Sequence, residues 1–260
     1  MQNQFVLSPF FLEKPFSAAE RLASPSWIIN KPILTDEQQM ARIAVVHRHL
    51  ADVVAHMMKD GHRPVSIAGD CCTTIGVLKG LQRSGVNPLL LWLDAHGDFN
   101  TWETSPSGFV GGMPLAMIVG RGDQTLMQAA GLTPRSEREV FLINARDLDP
   151  EERKALLQSA VHHVTDISSL PQLLPPERPI YVHLDVDVID QREAPAMAYP
   201  VPGGPDLDSL CEMAERLANT GRVIAVSMTL WDLESDTDGR TERASMALLK
   251  ALLGNRYSAS

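Results

Sequence analysis

Short apolar runs alternate with longer stretches of helical period along almost the whole chain. Runs at residues 4–7, 64–68, 89–94, 140–143, 162–164, 180–185 and 223–227 predict strands. Stretches at 36–59, 73–83, 114–119, 150–158, 207–219 and 241–253 predict helices, the first opening on a capping-box pair, Thr35 and Gln38. The run LLLWL is apolar without alternation, as a strand covered on both faces should be. Regular strand–helix alternation implies right-handed βαβ units and a mostly parallel sheet with helices on both faces. At 260 residues the chain suits one such α/β domain, and no repeat or composition break divides 1–260.

In sheets of this kind ligands bind beyond the carboxyl ends of the strands. Two of the predicted strands end in clustered ligand-type residues: Asp94-Ala95-His96-Gly97-Asp98 after LLLWL, and Asp185-Val186-Asp187 after PIYVHL. Residues two apart on a strand share a face, so each run aims its acidic or imidazole groups to one side. Carboxylates crowded at the end of a buried strand repel one another and lose hydration, and a divalent metal is the usual remedy. An oxygen-rich set with one imidazole suits Mn2+ better than a structural zinc site. Other strand ends add Gly69-Asp70-Cys71-Cys72 and Arg146-Asp147-Leu148-Asp149-Pro150. The Pro- and Gly-dense connection 190–205 is long enough to expect a functional loop.

Charge and composition narrow the partners. A net charge of −9 without a basic stripe argues against nucleic acid or an anionic membrane surface. No apolar run reaches membrane-spanning length, the N-terminus lacks a secretion pattern, and three cysteines make no disulfide framework. A cytoplasmic, reduced protein acting on a small molecule is expected.

The order Gly69-Asp70-Cys71, Asp94-Ala95-His96-Gly97-Asp98, Asp185-Val186-Asp187-Val188-Ile189-Asp190 resembles the three signatures of the arginase, or ureohydrolase, family: Gly-Gly-Asp-His, Asp-Ala-His-x-Asp and Asp-x-Asp-x-x-Asp. The likeness runs from about residue 60 to 240, with further support at Asp147–Pro150, Gly203-Gly204 and Asp238–Thr241. It implies a three-layer fold with an eight-stranded, mostly parallel sheet. It also implies hydrolysis of guanidino-type groups with two Mn2+ ions per chain and a hydroxide bridging them. Carried over residue by residue, Asp94 and Asp185 would bridge the metals, Asp98 would bind the first, and His96 and Asp187 the second. Asp98 would also take up and pass on the proton of the attacking hydroxide. Cys71 stands where the family has a ligating His. A thiolate is a legitimate ligand, softer than imidazole, and its register favours ligation over packing. Cys72 is expected to pack, Asp70 to fix its loop, and His183 to support the ligands from behind or pack in the core.

Three departures bear on the substrate. In the segment 105–114, Phe109 and Gly111 replace the family's carboxylate-binding Asn and proton-shuttling His, and Leu230 falls near the Glu that faces the guanidinium. Asn100, Ser107, Asp149 and Glu152 match positions that hold the α-carboxylate and α-amino groups of an amino acid. Asp149-Pro150-Glu151-Glu152 is equally a helix start. Arginine is always protonated, so a site without the facing Glu should prefer a less basic head group. These departures resemble those of family members that cleave Nω-hydroxy-L-arginine to hydroxyurea and L-ornithine in antibiotic biosynthesis. Another ureohydrolase, or a non-catalytic metal-containing amino-acid sensor, are the alternatives. The family's trimers use a C-terminal tail, whereas the segment 254–260 is short and mostly small or polar, so a monomer is expected.

Overall fold

The computed structural model describes residues 1–35 and 38–254. Its strands are β1 (Gln2–Ser8), β2 (Phe10–Phe11), β3 (Lys14–Pro15), β4 (Ile28–Ile29), β5 (His62–Ala68), β6 (Leu89–Leu93), β7 (Val140–Ile143), β8 (His162–Val164), β9 (Ile180–Leu184) and β10 (Val223–Thr229). Its helices are α1 (Gln39–Lys59), α2 (Thr74–Arg83), α3 (Pro114–Ile118), α4 (Thr125–Ala130), α5 (Pro150–Leu157), α6 (Leu170–Leu173), α7 (Leu207–Asn219) and α8 (Arg240–Leu253). Eight strands form one parallel sheet in the order β4-β1-β5-β10-β9-β6-β7-β8, and β2 pairs with β3 in a small antiparallel ribbon. The apolar residues divide into two cores, one per sheet face. One is built with α7 and α8, the other with α1 to α4. This is the expected three-layer α/β architecture. No described helix is long and apolar enough to cross a membrane.

The seven longer strands fall where apolar patterning puts them. The two-residue β4, the β2–β3 ribbon and the short helices α4 and α6 escape it, because so few residues carry no period. Helix α1 begins at Gln39 with Gln38 at the cap and no side-chain hydrogen bond there. The expected Thr35–Gln38 box therefore does not open it, and Asp36 and Glu37 lie outside the described residues. So does most of the tail behind the monomer expectation, 255–260.

Strand order explains why the ligand-rich segments meet. β5, β10, β9 and β6 are neighbours and all parallel, so their carboxyl ends open on the same edge of the sheet. Segments far apart in sequence, after Ala68, Leu93, Leu184 and Thr229, thereby become walls of one cavity.

Candidate metal centre

The cavity has a volume of about 450 Å3. Its lining includes Cys71, Asp94, His96, Asp98, Asp185 and Asp187, all six residues expected as ligands. The mechanism of convergence differs from simple strand alternation. β6 ends at Leu93 and β9 at Leu184, so the ligand runs are loops that leave the strands. Asp185 caps a 3-10 turn over Val186–Val188, its Oδ1 accepting from the Asp187 N–H at 3.0 Å. Asp98 takes a left-handed backbone (φ 47°), a strained conformation for a residue with a side chain. The turns, not the pleat, aim Asp187 and Asp98 inward.

Hydrogen bonds lock the floor. Asp94 Oδ1 accepts from the His96 N–H at 2.7 Å, and its Oδ2 from Trp92 Nε1 at 3.0 Å. Asp187 Oδ1 accepts from the Ala95 N–H at 3.0 Å, tying the two ligand loops together. His96 Nδ1 lies 2.9 Å from Asp187 Oδ2 and 3.5 Å from Asp94 Oδ1. Cys71 packs within the apolar core on the α1–α4 side, and its Sγ lies 3.0 Å from Asp185 Oδ2 and 3.9 Å from Asp94 Oδ2. Cys72 Sγ contacts the Val110 carbonyl 3.7 Å away, as a packing residue should. Asp70 Oδ2 accepts from the Leu12 N–H at 2.7 Å, fixing its loop as expected. Gly69 makes this approach possible, because a Cβ there would stand 2.3 Å from the Phe10 carbonyl oxygen.

The electrostatics describe a floor that needs cations. Burial first, then repulsion from Asp187, pushes Asp185 up to about 7. Burial and its acidic neighbours push Asp94, Asp98 and Asp187 up, and hold the Cys71 thiol well above its ordinary value. Burial works to lower His96, but the hydrogen bonds and charges of Asp187 and Asp94 outweigh it and push the imidazole up to about 12. A protonated imidazole is thus the only cation among these six side chains. Asp98 Oδ2 is buried without a hydrogen-bond partner. Among the described residues two sets of mutually close ligand atoms emerge, Cys71–Asp94–His183 and Asp94–His96–Asp187, with Asp94 in both. Such a donor set, with one shared carboxylate and one orphaned carboxylate oxygen, fits a pair of adjacent metal ions.

The expected substrate residues also line the cavity, but several bind one another. Asn100 Nδ2 donates to Asp149 Oδ2 at 2.9 Å, and Thr104 Oγ1 donates to Asn100 Oδ1 at 3.0 Å. Glu152 is buried and accepts from the Phe99 N–H at 2.8 Å and the Asp149 N–H at 3.1 Å, closing the first turn of α5. Burial pushes it up to about 7. Ser107 is exposed at the rim, where its Oγ accepts from the Phe109 N–H at 3.2 Å. Leu230 lines the cavity beside Trp231.

Features invisible in the linear pattern complete the site. Phe109 stacks on Phe11 with centroids 6.1 Å apart and meets Tyr199 at 6.0 Å, and Tyr199 sets its edge on His96 at 6.4 Å. These three rings form an aromatic rim. A Cβ on Gly111 would stand 2.3 Å from the Phe109 ring, so the two departures in this loop are a single coupled one. Arg146 binds the carbonyls of Asp187, Val188, Val201 and Pro202 and the Asn144 side chain, clamping the loop after β9. His183, expected behind the ligands or in the core, belongs to one of the two ligand sets; burial holds it neutral, pushed down to about 3. Its place on β9, two residues before Asp185, was the only hint.

Residues 30–254 match the Arginase family. Arginase from Bacillus subtilis (strain 168) is 30% identical over 243 residues, covering 88% of this chain and 82% of that protein. Arginase from Bacillus caldovelox is 31% identical over 232 residues, covering 84% and 78%. The crystal structure of the Bacillus subtilis arginase superposes with a TM-score of 0.82 at 26% identity, over 98% of this chain and 99% of that one. With ligand-type residues at every expected metal position, the chain belongs to the arginase family, metal-dependent hydrolases of guanidino and amidino groups that work with a binuclear centre.

Proposed function

We propose that the protein hydrolyses the guanidino C–N bond of Nω-hydroxy-L-arginine, giving hydroxyurea and L-ornithine, with two Mn2+ ions per chain. Asp94 and Asp185 would be shared by the two ions. Cys71 and Asp98 would complete one side, and His96 and Asp187 the other. When bound, such a pair lowers the pKa of a water and polarises the guanidino carbon. Asp98, with a free oxygen in the cavity, accepts the proton of that water and returns it to the departing ornithine nitrogen. Asp149 and Glu152 take the α-amino end, Asn100 and Ser107 the α-carboxylate, and the aromatic rim limits water entry.

The observation that carries the substrate choice is the coupling of Phe109 to Gly111, together with apolar Leu230 in the wall. The Phe109 ring stands where a Cβ at position 111 would be, and no carboxylate at position 230 meets a guanidinium. An unpaired buried cation is costly, whereas an N-hydroxyguanidine can enter neutral. Purified Mn2+-loaded protein offered Nω-hydroxy-L-arginine, arginine, agmatine and formiminoglutamate tests this reading. Hydroxyurea and ornithine should accumulate fastest from the first. Agmatine, lacking the α-carboxylate, should be poor, and equal turnover of agmatine would refute the anchor assignment. Hydrolysis of arginine itself is the second reading, favoured by the likeness to the two Bacillus arginases. A monomer belongs to the proposal, checked by light scattering against the 28.5 kDa chain mass.

A further inference from the structure

Beneath the cavity floor lies a buried polar group to which neither the family signatures nor the proposed ligand assignment gives work. His183 is 1% exposed, on β9 between Tyr181 and Asp185. Its Nδ1 lies 2.9 Å from Thr74 Oγ1 and 2.8 Å from Ser227 Oγ, and Ser227 Oγ lies 2.6 Å from the Tyr181 hydroxyl. Its Nε2 is buried without a hydrogen-bond partner. A ring nitrogen of His183, Cys71 Sγ and a carboxylate oxygen of Asp94 lie within 4.8 Å of one another. Trp92 tilts against the imidazole at 4.1 Å and also bonds Asp94, so ring and carboxylate share one support.

We propose that His183 is a metal ligand, binding through Nε2 the ion that Cys71 and Asp94 also hold. This rests on the binuclear reading above and extends it by one residue. The chemistry of the ring favours it. A ligating imidazole keeps the proton on its other nitrogen and donates it to a fixed acceptor. Here Nδ1 has two hydroxyl oxygens within reach, both anchored on the scaffold, one on α2 and one on β10. Nε2 is then left with a lone pair and, short of a metal, nothing to bind. An orphaned nitrogen in a buried site is costly, and burial of this kind is common where an ion completes the coordination.

The composition of the set follows. Thiolate sulfur, imidazole nitrogen and carboxylate oxygen together are softer than an all-oxygen site, so the Cys71 side takes Zn2+ or Co2+ more readily than the Asp187 side does. The imidazole that the signature loop lacks at position 71 is thereby supplied from the strand below.

Cobalt-edge X-ray absorption on the full-length protein loaded with two Co2+ counts the ligands directly and reads no turnover. The proposal predicts two imidazoles and one sulfur per metal pair, from His96, His183 and Cys71. His183→Gln should lose one imidazole, keep the sulfur, and weaken one of the two Co2+ ions by more than the ~10–100-fold typical of outer partners. Only one imidazole in the unaltered protein, or an unchanged count in His183→Gln, overturns it. The unaltered protein decides even where His183→Gln does not fold. Two ions with sulfur and a single imidazole would overturn the His183 assignment and leave the binuclear reading standing. Failure to bind two ions at all would sink that reading instead.

Discussion

The floor and the rim of the cavity are built on opposite rules. The floor comes from turns set at the ends of β6 and β9, the middle of the sheet, and both Asp94 oxygens, Asp185 Oδ1 and Asp187 Oδ1 are held there by backbone N–H groups or the buried Trp92 side chain. It offers coordinating groups at all six expected metal positions. The rim comes from the loops around Phe109, Tyr199 and Leu230, where rings meet one another and an aliphatic side chain lines the wall. The contrast separates two tasks. Binding a metal pair depends on rigid, low-dielectric placement of anions, which a strand end provides. Choosing a head group depends on what faces it across the cavity, and loops can change that without disturbing the floor.

The separation can be broken most forcefully from below. Asp94→Asn removes the one carboxylate common to both ligand sets. It should abolish binding of two metals and with it turnover, an effect beyond the ~10–100-fold expected of outer partners, as read by metal analysis after gel filtration. Rim variants should leave metal content intact.

Glu152 stands between floor and rim and gives a pH signature. Its carboxyl, pushed from 4.5 up to about 7 by burial, binds its proton more tightly folded than unfolded. Stability from this group is therefore fully present below about pH 4.5 and lost as pH rises through about 7. The difference in unfolding free energy between Glu152→Gln and the parent, both metal-free, should shift toward the variant by on the order of 3 kcal/mol over that window. Denaturant melts at pH 4.5 and 8 measure it, and a flat difference would show that Glu152 stays ionised.

Trp92→Phe sharpens the floor side. It deletes the 3.0 Å donor to Asp94 Oδ2 while keeping an aromatic body. Metal affinity should fall ~10–100-fold, measured by competition with a chelating dye, and an unchanged affinity would mean that Asp94 needs no such support. On the rim, Gly111→His forces a side chain into the Phe109 ring and should cost about 1–3 kcal/mol in stability. The double variant Phe109→Asn, Gly111→His should recover most of it, and additive effects in that cycle would deny the coupling.

Much of this is legible in the sequence. The floor announced itself because Asp94, His96, Asp98, Asp185 and Asp187 crowd two short segments after apolar runs, a pattern that loop capping alone rarely produces. Their convergence was expected from strand pleating, yet the turns at Asp98 and Asp185 achieve it. Pattern reads residue types and spacing but not a left-handed backbone. The rim was half legible: Phe109, Gly111 and Leu230 stood out as departures. That the Phe109 ring occupies the place of a side chain at 111, and that Phe11 and Tyr199 join it, depends on contacts between distant segments. His183 stood out only as a support behind the ligands; that it lies with Cys71 and Asp94 was hidden for the same reason, since Thr74, Ser227 and Cys71 come from three other elements or loops. The hydrogen bonds joining Asn100, Asp149 and Glu152 likewise follow from the packing of α5 against the 96–100 loop.

On this reading the rim, not the floor, selects the head group. The ratio of kcat/KM for Nω-hydroxy-L-arginine over L-arginine, compared between the Mn2+-loaded parent and Leu230→Glu at equal metal content, tests it most directly. The ratio should lie far above one in the parent and fall markedly in the variant, as a carboxylate returns to face the guanidinium. A parent that prefers arginine, or a ratio untouched by Leu230→Glu, would contradict it.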